Sequence, residues 1–84
     1  YVPGHVGSVN ITYEIDSPGP VTLAIFNSLG HQVQVLIDEF QEVGVWTAAW
    51  DGRDQAGLPV SSGGYLYQLI EGGRCHQSAM TLVR

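Results

Sequence analysis

Apolar and polar residues alternate along most of this chain, and Gly- or Pro-bearing turns interrupt the alternation about every eight to twelve residues. A period of two places the apolar side chains of a strand on one face, and that face must be buried against a second layer. No stretch carries the period of an amphipathic helix. The chain is therefore expected to be all-β, built from short antiparallel strands.

The strands can be placed one by one. Val9, Ile11, Tyr13 and Ile15 alternate with Asn10, Thr12 and Glu14, and Asp16-Ser17-Pro18-Gly19-Pro20 breaks that strand because proline cannot donate to a ladder. Val21, Leu23 and Ile25 then face one way, and Thr22, Ala24 and Phe26 the other. Asn27-Ser28-Leu29-Gly30 reads as a tight turn, with Gly30 in the left-handed position that closes a hairpin. A third strand is expected over 32–37. After it comes a polar connection over 38–44, pinned to the core by Phe40. The fourth strand spans 45–50, where small Ala48 between Trp46 and Trp50 leaves room for large partners from an opposite sheet. Leu58-Pro59-Val60 is a short extended piece that suits only an edge or a strand start. Residues 65–71 form the next strand, Gly72-Gly73 the last hairpin turn, and 74–84 the final strand, with His76, Ser78, Met80 and Leu82 on one face.

About seven such pieces make an immunoglobulin-like antiparallel β-sandwich the expected fold, with a small closed barrel as the structural alternative. Residues 9–84 form the sandwich, and 1–8 an extended N-terminal segment or linker. The 84 residues suffice for one domain, and a 44% hydrophobic content argues against disorder. Cys75 is the sole cysteine, so no internal disulfide is available and the sheets must stabilise themselves; it is expected to be a small, half-buried strand residue. Eight acidic residues against three arginines, with no lysine, give a net charge of −5, which repels phosphate backbones and excludes a nucleic-acid partner. No apolar run is long enough to span a bilayer as a helix.

Several blocks at fixed spacing carry a family resemblance. Val21 through Gly30, then Trp50-Asp51-Gly52-Arg53-Asp54 with Gly57, Val60, Ser62-Gly63 and Tyr65-Leu66-Tyr67-Gln68-Leu69, and finally Met80-Thr81-Leu82-Val83-Arg84, resemble the FlgD-type immunoglobulin-like domain. The same pattern is similar to the C-terminal sorting domains of proteins exported by the bacterial type IX secretion system. The chain departs from that pattern in its first eight residues, at Gly64, where a β-branched residue is usual, and near Ala79, where a basic one is. The resemblance implies a non-catalytic extracellular module at the end of a secreted protein, recognised by export machinery and held at the cell surface. In the flagellar relative it implies part of a hook-assembly cap. On the sorting reading, Met80, Leu82, Val83 and Arg84 form the interaction segment.

Candidate chemistry is sparse. Asp51 and Asp54, in a glycine-bearing turn with free carbonyls, could hold Ca²⁺ through oxygen ligands, but the favoured reading is that they accept backbone hydrogen bonds while Gly52 and Gly57 supply positive φ, with Arg53 between them offsetting the charge a cation needs. No other cofactor is expected. Asp38, Glu39 and Glu42 lack any EF-hand spacing, and His5, His31 and His76 lack the spacing of a zinc site. No nucleophile motif or phosphate loop is present, so no enzyme activity is expected. Trp46, Trp50, Tyr65 and Tyr67 could form a platform for sugar stacking, although their alternation favours the core. Asn10-Ile11-Thr12 is an N-glycosylation sequon. The expected function is a C-terminal sorting or surface-anchoring domain. Its first alternative is an extracellular subunit that assembles with copies of itself through strand edges, with residues 1–8 as an arm; a hook-cap-like or carbohydrate-binding module is a further one.

Overall fold

A computed structural model describes residues 8–83; the expected N-terminal segment, save Ser8, and Arg84 lie outside the described residues. Among the described residues six strands follow one another: β1 (Val9–Ile15), β2 (Gly19–Asn27), β3 (Gln32–Gln41), β4 (Gly44–Trp50), β5 (Gly63–Glu71) and β6 (Arg74–Leu82). All ladders are antiparallel. They form a four-stranded sheet ordered β3-β2-β5-β6 and a two-stranded sheet of β1 and β4. The fold is the expected immunoglobulin-like sandwich with one strand fewer, because Leu58-Pro59-Val60 makes only an isolated bridge, Pro59 to Arg53.

The alternation read from the sequence decides which faces meet. Ile11, Tyr13 and Ile15 of β1, with Ala48 and Trp50 of β4, are buried against Val21, Leu23 and Ile25 of β2 and Tyr65 and Leu69 of β5. Trp50 is completely buried and meets Tyr65 edge to face, with ring centroids 5.0 Å apart. Its indole N–H donates to the Arg53 carbonyl at 2.9 Å, so the polar tip of the ring is satisfied at the rim of the core. Trp46, half-buried, packs at the edge of the same cluster and donates to the Glu42 carbonyl.

Four expectations need correction. β3 runs on through Asp38, Glu39 and Phe40 to Gln41, because Gly19 and Pro20 open β2 and pair with Gln41 and Phe40. Proline is tolerated there, at the start of a strand. Pairing also turns Phe40 away from the core, and it is 62% exposed. The neighbouring Gln41 takes the inward position instead. It is buried and accepts a 2.7 Å hydrogen bond from the Tyr13 hydroxyl across the sandwich. Cys75 is exposed, lying on the outer side of β6. Finally, β6 ends at Leu82 and does not run to the C-terminus.

The turns follow their sequences. Gly30 has φ +83°, and the Asn27 carboxamide accepts from the amides of Leu29 and His31, closing the β2–β3 hairpin. Gly72 and Gly73 both have positive φ, the signature of a two-residue type I′ hairpin between β5 and β6.

Candidate functional site

The 51–60 loop is a structural latch. Asp54 accepts from the amides of Ala56 and Leu58, both at 3.0 Å, and Asp51 accepts from the Arg53 amide at 3.2 Å. Arg53 also lies 3.6 Å from the second Asp51 oxygen. These are the backbone roles foreseen as one of two readings of the pair, and Gly52 and Gly57 carry the positive φ that goes with them. The loop then closes over the open side of β3. The Gln55 amide donates to the Val33 carbonyl, and the Gln34 side chain donates to the Asp54 carbonyl while accepting from the Val35 amide, each at 3.0 Å. Two register irregularities between β2 and β3 add a twist. One edge of the larger sheet is thus covered, bulged and flanked by Asp38 and Glu39, the devices that stop a strand from recruiting another.

The opposite edge has none of these. β6 pairs with β5 in unbroken register from Arg74 to Leu82, and among the described residues no strand pairs with its other side. In a two-residue hairpin the flanking pair, here Glu71 and Arg74, is hydrogen-bonded, and bonding alternates from there. Residues 74, 76, 78, 80 and 82 therefore bond β5, whereas Cys75, Gln77, Ala79 and Thr81 aim their N–H and C=O groups outward. From Gln77 to Val83 there is no charge and no proline.

Of the expected interaction segment, Leu82 is sealed in the core and holds the strand down, Met80 is half-buried against the same cluster, and Val83 is exposed just beyond the ladder. Arg84 lies outside the described residues. At the other end of β6, the buried Glu71 carboxylate meets His76 Nε2 at 3.0 Å and Arg74 Nε at 3.4 Å, and Arg74 reaches Asp16 at 3.7 Å. This cluster ties β6 to the β1–β2 connection, and nothing in the sequence marked it.

The outer face of the four-stranded sheet is also distinctive. Pairing places Phe26, Leu66 and Ala79 in one cross-strand row, and Thr22, Ile70 and Cys75 in another. Leu66 stands between two shallow grooves, one of about 470 Å³ over Gly64, Ala79 and Thr81 and one of about 190 Å³ beside Phe26 and Gln77. The signal for this face was present in the sequence, since Phe26, Leu66 and Ile70 alternate with the core positions of strands that are apolar on both sides.

The remaining candidates are dispersed. Trp50 and Tyr65 are buried, Trp46 and Tyr67 half-buried, so these four rings pack into or against the core and form no sugar platform. Asn10 is exposed on β1, and Thr12 of its sequon lies 3.1 Å from the Thr47 hydroxyl. No cluster of three His, Cys, Asp or Glu side chains that could hold a metal occurs among the described residues.

Comparison with known proteins agrees with this architecture. The family model for the FlgD Ig-like domain matches residues 4–71. No curated protein matches the chain. The crystal structure of FlgD from P. aeruginosa superposes with a TM-score of 0.65 at 20% identity, covering 89% of this chain and 60% of that one. At that identity the likeness speaks for the fold alone, and it spans less than two thirds of the solved protein. With the family match covering most of its length, the chain belongs to the FlgD Ig-like domain family.

Proposed function

We propose that this domain is a non-catalytic interaction module and that it serves an exported bacterial protein as a C-terminal sorting and surface-anchoring domain, gripped along β6. The observation that carries this reading is the contrast between the two edges of one sheet: β3 is latched by the 51–60 loop, and β6 is left open, regular and uncharged along its second half. Strand addition supplies affinity from main-chain hydrogen bonds and needs no catalytic group.

The test is a reporter carrying this chain at its C-terminus, expressed in a bacterium with type IX secretion and followed by cell fractionation. The reporter is expected at the surface with the native chain, and in the periplasm with Ala79→Pro, which removes one outward N–H but none of the bonds to β5. Retention of the native fusion inside the cell would refute the sorting role. A second reading, an extracellular or hook-cap-like subunit that assembles with its own copies, draws on the same open edge and on the likeness to FlgD. It predicts concentration-dependent self-association of the purified chain that Ala79→Pro abolishes.

A further inference from the structure

We propose that the outer face of the β3-β2-β5-β6 sheet, centred on Leu66, is a two-fold interface with a second copy of this chain. The proposal concerns a different surface from the β6 edge and does not depend on the export role.

Charge selects the partner. The chain carries eight acidic residues and a net charge of −5, so two copies repel each other over most orientations. Pairing places only Asp38, on β3, on this face, whereas β2, β5 and β6 present no charge there. With one acid across four strands, this is a broad surface that a copy of equal charge can approach with little acid-to-acid contact. A basic partner would gain nothing from an uncharged face and would be drawn elsewhere on the molecule.

Size and shape agree. Four strands of about nine residues span roughly 19 Å by 30 Å, or about 570 Å² in projection. With side-chain relief this approaches the roughly 800 Å² per partner of a standard interface. The face carries both a knob and holes. Leu66 is 37% exposed, the larger groove lies over Gly64 on one flank, and the smaller groove lies on the other. Under a two-fold operator the contact is reciprocal, so a Leu66 seated in the other copy's groove brings that copy's Leu66 to its own. Gly64 is the telling residue. It has no positive φ, and a Cβ built there meets nothing within 4 Å, so neither backbone nor packing demands glycine. Its absent side chain is what opens the groove.

Sedimentation equilibrium of the purified chain, from low micromolar to millimolar, reads the outcome. The native chain is expected to pass from monomer to twice the monomer mass. Gly64→Val, which suits a strand and fills the groove, and Leu66→Lys, which would bury an unpaired charge, are each expected to weaken association about tenfold or more. Thr47→Lys, exposed on the other sheet, is expected to leave it unchanged. Circular dichroism confirms that each variant is folded. A native chain that stays monomeric at the highest concentration overturns the proposal. So does a dimer that survives both face substitutions, which would assign self-association to the β6 edge instead.

Discussion

Tyr13 and Gln41 form a buried polar pair that links the two sheets, and the sandwich depends on both members. Burial pushes the Tyr13 hydroxyl above its ordinary value; the bond to Gln41 partly offsets this, and the nearby Glu39 adds to it. A tyrosine raised in the folded state keeps its proton after the unfolded chain has lost its own. Stability is thus fully present below about pH 10 and declines as pH rises from there through the folded value. Tyr13→Phe should flatten that alkaline decline. It should also lower stability at neutral pH by about 1–3 kcal/mol, because the Gln41 oxygen is left buried and unpaired. Denaturant titrations at pH 7 and at alkaline pH read both effects, and an undiminished alkaline decline in the variant would assign the titration to another group. Asp51 and Asp54 carry a second expectation at this scale. Their oxygens already accept backbone amides, so neither chelator nor added Ca²⁺ should shift the melting temperature; a rise with Ca²⁺ would restore the cation reading. Alternation alone could not find Gln41, because a glutamine after an acidic pair and a phenylalanine reads as loop. Only the pairing of β3 with Gly19 and Pro20 shows which of Phe40 and Gln41 points inward.

The elements of the larger sheet differ chiefly in how their edges end. The 51–60 loop covers β3, and its hold rests on Asp54, whose side chain organises the turn while its carbonyl receives Gln34. Asp54→Ala should cost about 1–2 kcal/mol. It should also speed hydrogen exchange at Gln55 and Val35, the amides of the latch; unchanged exchange there would mean the loop is held by other contacts. In the sequence this loop was legible as a turn with two carboxylates and glycines at the right places. Its role as a cover was not, because the partners Val33, Gln34 and Val35 lie about twenty residues earlier and no local pattern connects them. The same limit explains the missing seventh strand. Leu58-Pro59-Val60 has strand composition, but its neighbours are spent on the turn, and one bridge is all that forms.

At the scale of the whole molecule, two layers close around Trp50, and truncating it to alanine should cost about 3–5 kcal/mol. Natural domains hold about 5–15 kcal/mol in total, so Trp50→Ala should be largely unfolded by circular dichroism near physiological temperature. A folded variant with a high melting point would show that the core closes without it. The sandwich was legible because period-two alternation and turn residues repeat along the chain, and so were the apolar outer positions Phe26, Leu66 and Ile70; which edge of the larger sheet stays open was not, because openness belongs to the assembled sheet and to no residue in it. On the larger sheet, what remains for other molecules is one side of β6 and the outer face beside it. Residue-resolved amide exchange by NMR tests this directly. Cys75, Gln77, Ala79 and Thr81 should exchange fast, alternating with slow His76, Ser78, Met80 and Leu82. Uniform protection along β6 would mean that the edge is already occupied and is not the place where a partner is received.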